Sequence, residues 1–204
     1  MARHFSMIRN FHLADLFTLA NGACGAAAIF LSMRIAAGDG VEKVWAAGAL
    51  IVAALFFDVA DGRVARWRHK ASAMGKELDS LSDVISFGVA PASLAFSLGL
   101  QGGLDIAVLL YFVCCGISRL ARYNVTADEI AAETGKVTYF EGTPIPSSVL
   151  LVGLLVWLAS TGRIGEAFLG GAVSVLGVQL HPIVLVFALS GSLMISKTIR
   201  IPKP

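Results

Sequence analysis

The sequence predicts an all-α integral membrane protein: a bundle of six transmembrane helices, preceded by a short amphipathic helix at the membrane surface. Of its 204 residues, 56% are hydrophobic and 15% are charged, whereas about 25% of the residues of a soluble domain are charged. The hydrophobic residues also gather in long runs between short polar segments. Composition and patterning together place the chain in the membrane class.

The hydrophobic runs define the six predicted spans, which are 13–37, 44–60, 81–100, 104–117, 147–160 and 180–195. Several runs are shorter than the roughly 20 residues that cross a bilayer as a helix. We therefore expect their helices to continue into the flanking polar residues. The second helix would carry Asp58 and Asp61 in this way.

The first twelve residues are basic and alternate apolar with polar side chains. They show no small-residue cleavage site after a short apolar core, which argues against a cleaved signal peptide. We expect residues 1–12 to form an interfacial amphipathic segment. A single membrane domain then covers 1–204, with the transmembrane bundle over 13–200.

Basic residues are distributed unevenly about these spans. With a cytoplasmic N-terminus and six crossings, three fall on the outer side: Arg34, Lys43 and Arg163. Thirteen fall on the inner side: Arg3, Arg9, Arg63, Arg66, Arg68, Lys70, Lys76, Arg119, Arg122, Lys136, Lys197, Arg200 and Lys203. Because inner loops of membrane proteins are enriched in Lys and Arg, we expect a multi-pass protein of the cytoplasmic membrane.

One apolar, glycine-rich stretch, Ile164 to Gln179, could add a seventh span. A seventh crossing would move Lys197, Arg200 and Lys203 to the outer side. That change would weaken the charge asymmetry. We therefore interpret the stretch as a loop or an interfacial helix.

Four aspartates lie where the second span ends and the third begins. On helices, Asp58 and Asp61 are three residues apart and Asp79 and Asp83 four apart, so each pair shares one helix face. Ionised side chains are costly at the ends of such hydrophobic segments unless they are paired or hydrated. Four carboxylates in one pocket would repel each other, and one or two divalent cations would relieve this repulsion.

The same stretch contains other features of a phosphate site. All-oxygen ligation favours Mg²⁺, Mn²⁺ or Ca²⁺ over zinc. Gly62 and Gly75 lack a Cβ and leave room for a ligand beside the backbone. Arg66 carries a planar guanidinium suited to phosphate. The stretch therefore predicts a metal-bound pyrophosphate at the cytoplasmic face.

The pattern D-x2-D-G-x2-A-R-x8-G-x3-D-x3-D, from Asp58 to Asp83, resembles the signature of the CDP-alcohol phosphotransferases. The resemblance implies a membrane enzyme that transfers a phosphoalcohol from a CDP-alcohol to a second alcohol. It implies metal ligands at Asp58, Asp61 and Asp79. Asp83 would then be a ligand of a second metal ion or the general base. It also implies CDP-binding residues: Thr18, Asn21, Asp58, Asp61, Gly62, Ala65, Arg66, Gly75 and Asp79.

Further stretches resemble the bacterial and archaeal phosphatidylserine synthases within that family. They are LFTLANGACG, DSLSDVISFGVAPA, RLARYN, FEGTPIP and SLMISKTIRIP. The chain departs at Ala14 and Asp15, where such proteins commonly have Pro-Asn. The resemblance implies transfer from CDP-diacylglycerol to L-serine, and serine needs an arginine and oxygen acceptors. The candidate serine-binding residues are Ser86, Arg119, Arg122, Asn124, Glu141 and Thr143.

Two other functions remain possible from the sequence. A sister enzyme would use glycerol phosphate, inositol phosphate or choline as acceptor, although a phosphorylated acceptor would favour a larger basic cluster than Arg119 and Arg122. An ion or proton transporter would place its carboxylates near the membrane midplane in repeated halves, and no repeat is visible. The expected partners are the two substrates, the lipid bilayer and a second copy in a homodimer, with no nucleic acid.

Overall fold

The computed structural model describes residues 13–68, 73–134, 139–175, 177–196, 198 and 200–202. The predicted amphipathic segment 1–12 lies outside these residues. The side chains of three candidate site residues are also outside the described part of the structure: Ala65, Arg66 and Glu141.

The described chain is predominantly helical. The α-helices are α1 (Leu13–Ala36), α2 (Lys43–Arg68), α3 (Ala73–Asp83), α4 (Ala90–Ser97), α5 (Gly103–Thr134), α6 (Val149–Ser160) and α7 (Leu185–Ile195). A π-helical turn, Val84–Val89, joins α3 to α4, and short 3₁₀ turns cover Ile145–Ser148, Gly165–Ala167 and Pro182–Val184. The predicted all-α class is confirmed.

Within the part of the chain that the structure describes, four helical stretches are long and apolar enough to cross a membrane: Ala14–Ala36, Lys43–Val64, Met74–Ser97 and Gly103–Thr126. Two shorter apolar stretches, Ile145–Ser160 and Pro182–Ile195, correspond to the fifth and sixth predicted spans. The membrane bundle is therefore confirmed, while the count of six crossings stays a prediction. As expected, α2 continues past its apolar run and carries Asp58 and Asp61.

Apolar side chains fill the space between the helices. Phe87, Phe112 and Phe187 are almost fully buried, and the rings of Phe112 on α5 and Phe187 on α7 pack edge to face at 5.3 Å. Other large apolar side chains, such as Phe30 and Leu150, lie on the outer surface. Lipid tails can cover such a surface, because the backbone polar groups are bonded within the helices.

The first helix packs closely against the third span. A Cβ added to Gly25 would lie 2.7 Å from the Cα of Ser86, and one added to Gly22 would lie 3.1 Å from the Ser82 hydroxyl. Such a Cβ at Gly25 would collide with backbone, so glycine is required for this approach. The contact brings the N-terminal half of α1 beside α3, where Asp79 and Asp83 lie.

The π-helical turn follows Asp83 directly. The Ala90 N–H bonds to the carbonyl of Ile85, five residues earlier. Pro91 has no N–H to continue the α-helical pattern at this point. The extra residue of a π turn rotates the helix faces on either side of it, and such turns are frequent at functional sites.

Two small antiparallel sheets were not predicted from the sequence. Strands β1 (Tyr139–Glu141) and β4 (Arg200–Pro202) pair with Phe140 opposite Ile201. Strands β2 (Val173–Val175) and β3 (Val178–Leu180) form a hairpin within the stretch Ile164–Gln179. The described residues of that stretch form a loop, which was one of the two interpretations of the sequence. The other interpretation, an interfacial helix, is wrong for these residues.

A buried contact between Asp105 and His181 holds the end of the bundle opposite the four aspartates. Asp105 at the start of α5 accepts hydrogen bonds from the backbone N–H groups of Gly102 and His181, at 3.0 and 2.8 Å. Its Oδ2 also lies 2.6 Å from Nδ1 of His181. Both side chains are buried, and the His181 ring packs against Phe168 at 5.7 Å. These contacts attach the turn before α7 to the start of α5.

Candidate active site

Three of the four predicted aspartates form one cluster. Oxygens of Asp58 and Asp61 on α2 and of Asp79 on α3 all lie within 4.8 Å of one another. The spacing along each helix places the side chains on one face, and the packing of both α2 and α3 against α1 brings those faces together. The predicted acidic pocket is therefore present.

This cluster has the chemistry of a hard-cation site. Its donors are carboxylate oxygens alone, which suits Mg²⁺, Mn²⁺ or Ca²⁺. Oδ1 of Asp79 is buried and has no hydrogen-bond partner among the described residues. A buried acceptor without a partner is unfavourable, so a bound cation would satisfy an oxygen that the protein leaves unpaired. The residues present fit a divalent cation.

Asp83 is buried, one turn further along α3, and lies outside that three-oxygen cluster. Its Oδ1 accepts a hydrogen bond of 3.1 Å from Nδ2 of Asn21. Asp83 thus differs from the other three carboxylates in its position outside the cluster. This difference favours a separate chemical role for Asp83.

One face of α1 contacts both helices that carry the aspartates. Thr18 donates a hydrogen bond of 2.7 Å to Oδ2 of Asp61 on α2, and Asn21 donates to Asp83 on α3. Thr18 and Asn21 are three residues apart and so lie on the same side of the helix. The side chains of both residues therefore contact carboxylates of the motif. Their role in CDP binding stays a prediction.

Asp15 is a fifth carboxylate near this site. It is 6% exposed and interacts electrostatically with Asp61. The sequence pattern marked this position only as a departure from the Pro-Asn of similar proteins. That departure was the available signal, because it introduces a negative charge one turn before Thr18.

Gly62, the first glycine of the motif, leaves space beside the cluster. A Cβ added to Gly62 would meet nothing within 4 Å in the described structure. Gly75 is half-buried near the start of α3. A ligand can therefore approach the backbone of α2 at Gly62, as the sequence predicted.

Arg119 lies on α5, which contacts the π-helical turn that follows Asp83. It is 7% exposed, and its guanidinium interacts electrostatically with Asp83. The guanidinium carbon also lies 6.0 Å from the centre of the Tyr123 ring. Nε of Arg119 has no hydrogen-bond partner among the described residues. A buried guanidinium with unused donor capacity suits the binding of an anion.

Other predicted serine-binding residues connect helices near the site. Asn124 donates to the Ser80 hydroxyl at 3.0 Å, and its carbonyl accepts from Lys76 at 2.9 Å, so it joins α5 to α3. Arg122 donates to the carbonyl of Ile195 at 3.3 Å, at the end of α7. Contact of Asn124 or Arg122 with serine stays a prediction.

The remaining candidates lie on turns or inside the packing. The Thr143 N–H donates to the carbonyl of Leu193, and Gly142 beside it has a φ of +72°, which favours glycine. Ser86 is fully buried, and its hydroxyl donates to the backbone carbonyl of Asn21 at 2.9 Å. The Ser86 proton is therefore already used between α1 and the π turn.

Comparison with known proteins gives consistent results. A model of the CDP-alcohol phosphatidyltransferase family matches residues 11–190. A CDP-diacylglycerol–serine O-phosphatidyltransferase of Saccharomyces cerevisiae is 44% identical over 204 residues, which cover 98% of this chain and 74% of the relative. The archaetidylserine synthase of Methanothermobacter thermautotrophicus is 39% identical over 170 residues, covering 82% and 67%.

A bacterial relative adds to this set. A CDP-diacylglycerol–serine O-phosphatidyltransferase of Helicobacter pylori is 42% identical over 146 residues, which cover 71% of this chain and 56% of the relative. The family match contains α1 to α5 and all four motif aspartates. The family predicted from the Asp58 to Asp83 pattern is therefore confirmed, and this chain belongs to the CDP-alcohol phosphatidyltransferases.

Proposed function

We propose that this chain transfers the phosphatidyl group of CDP-diacylglycerol to L-serine, giving phosphatidylserine and CMP. The observation that carries the proposal is the division of the four aspartates into a three-oxygen cluster and a separate Asp83, which accepts a hydrogen bond from Asn21. The names of the similar proteins support serine as acceptor, because each of them refers to serine, while the archaeal name refers to a different lipid.

Asp58, Asp61 and Asp79 would hold the divalent cation, and we propose Mg²⁺ or Mn²⁺ for that position. When bound, the cation neutralises negative charge on the pyrophosphate and on the departing CMP. The open backbone at Gly62 leaves room for the nucleotide end of the substrate. Arg66, which follows on the same helix, is proposed as a phosphate contact.

Asp83 is the proposed general base. The serine hydroxyl oxygen forms a bond to the phosphorus of the phosphatidyl group, and the bond from that phosphorus to the CMP oxygen breaks. The hydroxyl proton passes to the Asp83 carboxylate. Asp83 suits this role because it lies outside the cation cluster, whereas the other three carboxylates are needed there.

Arg119 is the proposed partner of the serine carboxylate. Arg119 is buried on α5, which contacts the π-helical turn directly after Asp83, and we propose that a serine bound to Arg119 places its hydroxyl towards the proposed base. An arginine binds a carboxylate through two parallel hydrogen bonds, which also fixes its orientation. This arrangement would favour serine over an uncharged alcohol of the same size.

The topology proposal places this site at the cytoplasmic face of the membrane. It rests on the thirteen basic residues that six crossings would leave on the inner side. We also propose a homodimer, as the family resemblance implied. Reaction of an introduced cysteine at Lys76 with an impermeant thiol reagent, only after the membrane is opened, would support the orientation.

The decisive experiment measures CMP release by the purified protein from CDP-diacylglycerol. Reactions contain Mn²⁺, Mg²⁺ or a chelator, with L-serine, glycerol 3-phosphate, inositol phosphate or no acceptor. We expect release that needs both a divalent cation and serine, with phosphatidylserine as product. Release with another acceptor would overturn the serine assignment and retain the cation site. Absence of release with every acceptor would overturn the enzymatic proposal and favour the transporter.

A further inference from the structure

Asn21 is a buried polar residue that contacts both the proposed base and the residue three positions after it. Its side-chain Nδ2 donates to Oδ1 of Asp83 at 3.1 Å, and its backbone carbonyl accepts from the Ser86 hydroxyl at 2.9 Å. The two bonds lie three residues apart on the third span. They fix the turn of α3 that carries the Asp83 carboxylate relative to α1.

The bond to Nδ2 makes the two oxygens of Asp83 different. Oδ1 is held by Asn21, so Oδ2 is the oxygen left to accept a proton from the attacking hydroxyl. A carboxylate that can rotate presents either oxygen in many directions. A carboxylate held at one oxygen presents the other in a fixed direction, and fixed geometry is a large part of catalytic efficiency.

The side-chain oxygen of Asn21 indicates that the role of this residue is not stability alone. Asn21 is 0% exposed, and its Oδ1 has no hydrogen-bond partner among the described residues. A buried unpaired carbonyl is unfavourable, and an apolar side chain of similar size would avoid that penalty. The position therefore carries an amide at an energetic disadvantage, while the same amide holds Asp83.

We propose that Asn21 is a positioning residue for Asp83, rather than a nucleotide-binding residue. The inference rests on the proposed function, because it gives Asn21 its effect through the proposed base. Thr18 is a matched residue on the same face of α1, since it bonds to Asp61 of the cation cluster instead. The two side chains should therefore affect different steps.

The test compares Asn21→Ala, Asn21→Asp and Thr18→Val with the wild type in the CMP-release assay. We expect both Asn21 variants to lower kcat by about 10- to 100-fold. Their KM values for CDP-diacylglycerol and serine, and the Mn²⁺ concentration for half-maximal activity, should stay within about threefold. Thr18→Val should raise that Mn²⁺ concentration and weaken Mn²⁺ binding measured without substrate, because it removes a bond to Asp61.

A double variant separates positioning from folding. Asn21→Asp with Asp83→Asn exchanges donor and acceptor and can restore the bond between α1 and α3. We expect the exchange to recover the thermal stability lost in Asn21→Asp, while turnover stays at the level of Asp83→Asn alone. Recovery of both turnover and thermal stability would overturn the inference. The hydrogen bond between α1 and α3 would then be enough for activity, without a carboxylate at position 83.

The other outcomes also decide the inference. A higher KM for CDP-diacylglycerol with unchanged kcat in Asn21→Ala would overturn it in favour of nucleotide binding. Wild-type kcat in that variant would overturn it as well. In both cases the wild-type protein would still produce phosphatidylserine, so the proposed function would stand. A wild type without serine-dependent release would instead remove the proposed function itself.

Discussion

Buried aspartates lie at both ends of the bundle, and their surroundings differ. Asp105 at one end has both oxygens bonded, to two backbone N–H groups and to the His181 ring. At the other end, the motif aspartates lie near one another, and Oδ1 of Asp79 has no partner among the described residues. The first arrangement is complete within the protein, whereas the second leaves an oxygen that a bound cation would satisfy.

This difference shows how to separate structural from functional carboxylates in a membrane bundle. An aspartate satisfied by donors of its own chain stabilises the contact between those segments. Carboxylates that face each other with fewer such donors destabilise the free protein and gain further partners when a cation binds. Substitution should therefore have opposite effects at the two ends: lost stability at Asp105, and lost activity at Asp58, Asp61 and Asp79.

The largest effect is expected from Asp79→Asn. Removal of one carboxylate from the cluster should weaken cation binding and lower kcat/KM on the order of 10³-fold, since a bound cation contributes several kcal/mol to such reactions. The thermal midpoint without cation should stay equal or rise, because like charges are removed. CMP release and Mn²⁺ binding measure the two effects.

The control for Asp79→Asn is Asp105→Asn at the opposite end of the bundle. The control protein should keep the Mn²⁺ affinity of the wild type. Equal loss of Mn²⁺ binding in both variants would show that the effect is a general consequence of changing a buried aspartate.

The next effect is expected from Asp83→Asn. Loss of the proposed base should lower kcat by about 10²- to 10⁴-fold. Affinity for CDP-diacylglycerol should change little, because Asp83 lies outside the three-oxygen cluster. Single-turnover CMP release and binding of labelled CDP-diacylglycerol give the two values. Normal turnover in this variant would mean that another group accepts the proton.

Substitution of Arg119 should act on the acceptor substrate. Arg119→Gln removes the proposed charge-assisted bond to the serine carboxylate, and such a bond is worth about 1.5 to 3 kcal/mol. KM for serine should therefore rise by about 10- to 100-fold, and KM for CDP-diacylglycerol should stay close to that of the wild type. Arg163→Gln, at an arginine that lies 5.7 Å from the Trp157 ring on α6, is the control and should change neither value.

The general architecture and the acidic cluster could be predicted from the sequence because both depend on local patterns. Apolar runs locate the membrane helices, and the spacings of Asp58 with Asp61 and of Asp79 with Asp83 fix which side chains share a face. Helix continuation past the apolar run of α2 also followed from the length that a membrane requires. These inferences needed no knowledge of which helices touch.

The polar contacts between helices could not be predicted in the same way. Thr18 and Asp61 are 43 residues apart, Asn21 and Asp83 are 62 apart, and Asp105 and His181 are 76 apart. Each pair depends on the packing of its two segments, which a periodic pattern does not specify. The β2–β3 hairpin was also missed, because an apolar, glycine-rich stretch is compatible with a loop, a hairpin or a helix.

A stability effect is expected at the opposite end of the bundle. Asp105→Asn leaves an amide beside Nδ1 of His181 and removes the charge that accepts two backbone bonds. We expect a loss of about 1–3 kcal/mol in the free energy of unfolding. Thermal unfolding in detergent measures it, and CMP release per folded molecule should match the wild type. A specific loss of activity at full stability would mean that this end also takes part in catalysis.

The smallest effect is expected at Asp39, which is an exposed aspartate between α1 and α2. The hydrogen bond and the charge of Arg34 hold the pKa of the Asp39 carboxyl below its usual value, and Lys43 adds to this effect. Because the pKa is lowered in the folded state, the stabilisation from this interaction is fully present above the unfolded-state pKa of about 3.9. It is lost as pH falls through the folded-state pKa.

Because solvent screens exposed ion pairs, Asp39→Asn should change the thermal midpoint little at pH 7. Carbon-13 NMR of labelled aspartate should show Asp39 titrating at a lower pH in the wild type than in Arg34→Gln. Equal titration midpoints would show that the ion pair does not form in solution. A stability change as large as that of Asp105→Asn would contradict the distinction between exposed and buried aspartates, since an exposed carboxylate can exchange its protein partners for water.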